Sequence, residues 1–211
     1  IGWYFADIYV NPKNDEEIYS LGVRMAHSKD GGKTFSTVGG NIQHLQPSPA
    51  QTLHLDHCEL WINPFNPNHL ALGNDGGLYV SYDKGANWLH LNNIPTGEFY
   101  DITLDNQKPY NIYGGVQDNA TVYGPAKEWN PHGHDPWKYL WIDAWSGGDG
   151  CVTQVDPEDP NTVYFSRQHG DGLRKDMAAD TSITIGPSRK KTSKENNLRY
   201  NFVSPYFISP H

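Results

Sequence analysis

A strand-and-turn pattern that returns at a near-constant interval constrains this chain more than any other feature. An apolar run closed by a turn dipeptide occurs as FADIYVNP (5–12), CELWINP (58–64), YDITLDN (100–106), CVTQVDP (151–157) and PYFISP (205–210). Their first turn residues, Asn11, Asn63, Asp105, Asp156 and Ser209, follow one another at 52, 42, 51 and 53 residues. A period of that length is one supersecondary unit. After each turn comes a second run (EEIYSLG, NHLALGN, YNIYGGV, NTVYFSR), and a Gly- and Asp-containing turn then leads to a third. In the first two units a fourth run follows SKDGGKTF (28–35) and SYDKGANW (81–88). Four short antiparallel strands in each 40–50 residues is the pattern of a β-propeller blade. A β-sandwich is the competing all-β architecture, but a sandwich has no reason to repeat its turn sequences in register.

The reading is therefore all-β, with units at 1–53, 54–97, 98–146 and 147–204 and the first strand of a further unit from 205. The 21 Gly, 15 Pro and 13% aromatic residues agree with many short strands and tight turns. Lys and Arg number 16 against 24 Asp and Glu, a net charge of -8, which argues against a phosphate-backbone ligand. Apolar runs stay far short of the roughly 18 residues of a membrane-spanning helix. Cys58 and Cys151 each stand five residues before their unit's turn residue. Equal places on strands two units apart put them beyond the roughly 7 Å Cα separation that a disulfide tolerates, so both are expected to be free thiols.

The octapeptides Ser28-Lys-Asp30-Gly-Gly32-Lys-Thr34-Phe35 and Ser81-Tyr-Asp83-Lys-Gly85-Ala-Asn87-Trp88 resemble the Asp-box (BNR) motif, S-x-D-x-G-x-T-W, of sialidase-type, sortilin-type and xyloglucan-degrading propellers. The segment from Asp56 to Trp88, with GVQDN, GGDG and DPEDPNTVY, resembles bacterial secreted BNR-repeat, sortilin-like and glycosyl-hydrolase-related proteins. This resemblance implies about four blades of a larger, seven-bladed propeller, with the remaining blades in the same propeller or a partner chain. It also implies an extracellular or periplasmic location. The octapeptides themselves read as structural. Asp30 and Asp83 accept turn N–H groups, Gly32 and Gly85 supply permissive backbone, and Phe35 and Trp88 are expected to bury their rings between sheets. A calcium loop is the other reading of such turns, but the later bidentate Glu is missing, so no metal and no cofactor is expected.

Propeller geometry places the loops before the first strand and between the second and third strands on one face, around the channel. His54, Asp56 and His57, Asp75, Glu98 and Tyr100, Asp118, Asp149 and Arg199 fall there with Asp171 and Tyr200, and all but those last two form the candidate binding set for a glycan or protein ligand. Alternation points His54 and Asp56 the same way. Asp56, Asp118 and Asp149 are the candidates for paired-carboxylate hydrolysis of a polysaccharide, xyloglucanase-like by resemblance. Asp75, Asp118 and Asp171 occupy matching turns, where Asp commonly caps its own backbone. A sialidase needs three Arg around a carboxylate, and these loops offer Arg199. Channel binding without chemistry, as in a sortilin-type propeller, is the leading function. Whether the chain is an enzyme stays open at this point.

Two inserts break the period. Residues 125–148 hold four of the seven Trp, which are expected to pack an elaborated blade or to stack on sugar rings. Residues 175–200 carry Arg189, Lys190, Lys191, Lys194 and Arg199 in a polar loop. That second insert is expected to displace the last strand of the fourth unit and make it the least regular.

Overall fold

The computed structural model describes residues 4, 6–38, 53–91, 96–127, 136–140, 142, 148–186 and 199–209. The chain divides into two compact units, Ile1–Thr96 and Gly97–His211. Among the described residues the only helix is a three-residue 3-10 turn at Gln168–Gly170, and everything else regular is β.

The first unit contains two four-stranded antiparallel meanders. One runs through β1 (Ile8–Asn11), β2 (Asn14–Ser20), β3 (Ala26–Ser28) and β4 (Ser36–Thr37) in sequence order. The other runs through β5 (His57–Ile62), β6 (Leu70–Asn74), β7 (Gly77–Ser81) and β8 (Leu89–His90). Side-chain alternation decides what each sheet buries. In the first sheet the cross-strand row Tyr9, Tyr19 and His27 faces inward, with Tyr19 fully buried. In the second the opposing row is Leu60, Leu72 and Tyr79. These rows, with Leu21, Met25, Leu53 and Leu70, form one core between the two sheets, and Tyr9, Val38, Ile62 and Trp88 close its margin.

The second unit contains two more meanders. The first is β9 (Phe99–Leu104), β10 (Asn111–Val116), β11 (Asn119–Pro125) and β12 (Lys138–Leu140). The second is β13 (Gly148–Val155), β14 (Thr162–Arg167), β15 (Gly172–Asp176) and β16 (Thr181–Thr184). Their core holds Tyr113, Leu140, Val163, Phe165 and Leu173. A two-residue parallel bridge, Asn119 to Gly148 and Ala120 to Asp149, fuses them into one eight-stranded sheet. The fusion needs glycine. A Cβ on Gly115 would lie 2.0 Å from the Cys151 carbonyl oxygen, and one on Gly150 would lie 2.0 Å from that of Ala120.

The repeated turn residues act as backbone caps, which explains their period. The side-chain oxygen Oδ1 accepts from the Lys13 N–H at Asn11, from Phe65 and Asn66 at Asn63, from Gln107 and Asn111 at Asp105, and from Glu158 and Asp159 at Asp156. An Asx turn of this kind ends one strand and aims the next. The fifth occurrence behaves differently. None of the described residues of 199–209 is in a strand, and Tyr206 instead fixes the segment by donating its hydroxyl to the Val152 carbonyl at 2.9 Å.

Two further expectations are corrected. The fourth sheet keeps its last strand in close register: Asp176 caps Ala178 and Ala179, and β16 returns at once along β15. It is the third sheet whose last strand, the three-residue β12, comes after a long excursion. Phe35 is 49% exposed, whereas Trp88, its counterpart one repeat later, packs at the margin of the core. The difference is positional, because the Trp88 side of its sheet meets the first sheet, whereas within the described residues of this unit no sheet covers the Phe35 side. Most of the Trp-rich insert, and Arg189, Lys190, Lys191 and Lys194, lie outside the described residues.

Candidate functional site

The two octapeptide turns are superimposable hydrogen-bond networks. Ser28 Oγ donates to Asp30 Oδ1 at 2.8 Å and accepts from the Gly32 N–H at 2.9 Å, while Asp30 accepts from Thr34 N–H at 2.9 Å and Thr34 Oγ1 at 2.6 Å. In the second turn Ser81, Asp83 and Gly85 repeat this, and the Asn87 amide takes the threonine's place by donating to Asp83 Oδ2 at 2.6 Å. The donors hold the Asp30 carboxyl down at about 2 and depress that of Asp83, first through the side chain at position seven of each octapeptide, Thr34 and Asn87. Each carboxylate accepts three hydrogen bonds from its own turn, so these aspartates staple hairpins.

In the first unit His54, Asp56, His57 and Asp75 come together ahead of β5. Asp56 has φ of 60°, the left-handed region, which breaks strand alternation, so His54 and Asp56 do not share a strand face. His57 starts β5 and is 2% exposed. Burial, with the neighbouring His54 second, lowers its pKa to about 4 and keeps the ring neutral. Asn74, which sequence reasoning passed over, organises the group. Its amide donates to the His54 carbonyl at 3.2 Å and lies 3.4 Å from His57 Nδ1, and its oxygen caps the Gly76 N–H at 2.9 Å. The His54 ring covers Gly76, where a Cβ would sit 2.5 Å from the His54 Cβ. Asp56 and Asp75 remain half-buried and close enough to Cys58 to raise its thiol pKa, behind the larger effect of burial. The only available signal for Asn74 was that Asn, like Asp, bridges its own turn.

In the second unit Glu98, Tyr100, Asp118 and Asp149 come together. Asp149 is 6% exposed, and its Oδ1 accepts from the Tyr100 hydroxyl and from the Asp118 N–H, each at 3.2 Å. Burial first, then the Asp149 charge, raises the Tyr100 pKa to about 12. Asp118 occupies the β10–β11 hairpin with φ of 55°. The Gln117 amide, turned to its better orientation, donates to both Glu98 carboxylate oxygens at 3.3 and 3.1 Å. Beside Asp149 a shallow hollow lined by Thr121, Gly148, Ser166 and Arg167 among others opens to solvent and is too small to enclose a small-molecule ligand.

Two candidates stand apart from these groups. Asp171 ends the 3-10 turn rather than occupying a two-residue hairpin like Asp75 and Asp118, and it pairs with Arg167 at 3.3 Å. Arg199 is exposed, next to Tyr200, whose ring packs on Gly170. Cys58 is exposed and Cys151 buried, and both are free thiols. Burial, then Asp149, pushes the Cys151 pKa up to about 11, which makes it unreactive near neutral pH. Among the described residues no three His, Cys, Asp or Glu side chains are grouped to hold a metal ion. No described helix is long and apolar enough to cross a membrane.

A further polar group lies between the sheets of the first unit. Glu17 is 4% exposed and accepts from Asn11, from His27 Nε2 at 3.2 Å, and from Lys84 Nζ at 2.9 and 3.1 Å. Lys84 arrives from the second sheet with φ of 61°, where the first octapeptide has Gly31 at 69°. Nothing in the sequence marks this contact, because its ends are 67 residues apart.

The meanders are blades of the propeller type, and the chain is a segment of such a fold. No family model matches it, and no curated protein is detectably similar in sequence. Similar solved structures include an ancestral GH74 enzyme, 13% identical over 86% of this chain and 24% of its own, at a TM-score of 0.35. YCF48 bound to D1 peptide is 16% identical over 80% of this chain and 64% of its own, at 0.28. The extracellular domain assigned to a hybrid two-component system of B. thetaiotaomicron is 12% identical over 93% and 30%, at 0.37. The chain thus spans about a quarter to two thirds of the length of these proteins, and scores this low leave its fold to be read from the sheets themselves.

Proposed function

We propose that this chain is part of a secreted or cell-surface propeller that binds a glycan or protein ligand through the loops ahead of the first strands and between the second and third. The observation that supports binding over hydrolysis is the state of Asp149. Its buried carboxylate is occupied as a buttress, holding the Tyr100 hydroxyl and the Asp118 backbone. A glycosidase acid needs a carboxyl whose pKa is raised and whose proton faces the substrate. Oδ1 of Asp149 instead faces the Tyr100 hydroxyl and the Asp118 N–H. In this reading the ligand-facing groups are the exposed Glu98 and Tyr100 with the half-buried Asp118 in the second unit, and the half-buried His54, Asp56 and Asp75 in the first. His57, Asn74 and Asp149 hold them in place. Polysaccharide hydrolysis by Asp56, Asp118 and Asp149 is the alternative.

A polysaccharide panel separates the two. The protein is expected to retain a glycan or protein without releasing reducing sugar, and Asp118→Ala is expected to weaken retention. Release of reducing sugar that either Asp56→Asn or Asp149→Asn abolishes would refute the binding reading.

A further inference from the structure

The last strand of each meander is an edge, and one of the four edges is unlike the others. β4 and β8 hold two residues each and β12 three, whereas β16 holds four, Thr181–Thr184, all of them exposed. Radially repeated sheets keep such edges short, and edge strands in general are blunted by Lys, Pro or a bulge. β16 has none of these devices. Its sequence, Thr-Ser-Ile-Thr, is uncharged and rich in β-branched residues, and it pairs with β15 without a register shift. It stands at the end of its sheet, and no described strand pairs with its far side.

The neighbouring hydrogen bonds fix which backbone groups that edge offers. The Ile185 N–H donates to the Gly172 carbonyl at 3.0 Å, so by antiparallel alternation Ile183 and Thr181 also bond toward β15. Ser182 and Thr184 therefore direct their N–H and C=O groups away from the sheet. Between them stands Ile183, opposite Arg174 on β15 and 57% exposed.

Read outward from Ile183, this edge is complementary to itself. Ser182 and Thr184 are both hydroxyl residues, Thr181 and Ile185 are both β-branched, and Asp180 is balanced by Gly186. A two-fold axis beside Ile183 sets Ser182 opposite Thr184 of a partner copy, so that each N–H meets a C=O, and brings Ile183 against Ile183 of the partner copy as a close cross-strand pair. Asp180 then faces a glycine, and the nearest cation, Lys175, is already paired with Asp180. No like charges meet, and the two-fold arrangement closes after two copies.

We propose that β16 is a homodimer edge, pairing antiparallel with β16 of a second copy of this chain about Ile183. One strand pair is a small interface, so the association is expected to be about micromolar or weaker.

Sedimentation velocity of the full-length protein over a concentration series, with hydrogen exchange on the same samples, tests this. A monomer–dimer equilibrium is expected, in which the Ser182 and Thr184 amides gain protection as concentration rises while those of Leu173 and Lys175, bonded to β14, do not change. Ile183→Lys or Ile183→Glu sets like charges across the axis and is expected to weaken association by about tenfold or more, with circular dichroism unchanged. An equimolar mixture of the two variants is expected to associate again, because only this register brings position 183 against itself. A monomer at every concentration would overturn the proposal. So would a dimer that both variants leave intact, a mixture of folded variants that stays monomeric, or a dimer in which Ser182 and Thr184 gain no protection.

Discussion

Replacing Glu17 by Gln and Lys84 by Met, singly and together, tests whether the buried clasp between the first two sheets is a coupled pair. Glu17 is 4% exposed and receives three donors, so Glu17→Gln leaves Lys84 without its counter-charge and substitutes an NH2 group for one acceptor. Breaking a fully buried ion pair costs about 3–5 kcal/mol. The Lys84 side chain is 41% exposed and can turn to water, so the expected loss for Glu17→Gln is smaller, about 2 kcal/mol. Lys84→Met is expected to cost more, about 3 kcal/mol, because the carboxylate it abandons cannot reach solvent. The double variant buries two neutral groups and should lie within about 1 kcal/mol of the worse single change, a coupling of about 2 kcal/mol. Opening free energies from hydrogen exchange of β2 and β3 under urea measure all four corners of the cycle. Simple additivity of the two losses would refute the clasp and leave Lys84 as a surface residue in an unfavourable φ.

His57 predicts a dependence on acid. Its folded pKa of about 4 lies below the unfolded value near 6.5, so the unfolded chain binds the extra proton and stability falls as pH drops from about 6.5 toward 4, by up to about 3 kcal/mol. Glu17, also depressed, adds to the loss as pH falls through its folded pKa. A pH series of thermal melts on the wild type and His57→Gln checks this, with the variant expected to show the flatter profile above pH 4.5. Asn87→Thr should leave stability within about 0.5 kcal/mol, since a hydroxyl can replace the amide donor to Asp83, whereas Asp83→Ala should lower the melting temperature with no change in ligand retention per folded molecule. Gly115→Ala should be destabilising by about 3 kcal/mol or more, because the new methyl would meet the Cys151 carbonyl, and soluble yield with circular dichroism reports it.

Periodicity and turn chemistry were legible because they are local. The Asn and Asp residues that recur near every fifty positions cap backbone within a few residues of themselves, and the Ser and Asp of the octapeptides bond within four, so sequence spacing alone predicted where strands end and hairpins close. The same locality explains why Asn87 was readable as a departure from threonine but not as its working substitute, which needed the geometry of the Asp83 carboxylate. Tertiary structure decided everything that depends on who faces whom. Asp149 looked like one more glycine-flanked turn aspartate and a candidate acid. It became a buttress because the close approach of β13 to β10 and β11, permitted by Gly115 and Gly150, brings Tyr100 and the Asp118 amide to its carboxylate from 49 and 31 residues away. Glu17 and Lys84 looked like ordinary surface charges, and only the stacking of two sheets made them a pair. Phe35 and Trp88 occupy one motif position in two sheets and differ in burial because Trp88 packs at the margin of the core between those sheets and Phe35 does not. Identity and spacing determine what a residue can bond nearby, and long-range packing determines whether water or another sheet competes for that bond.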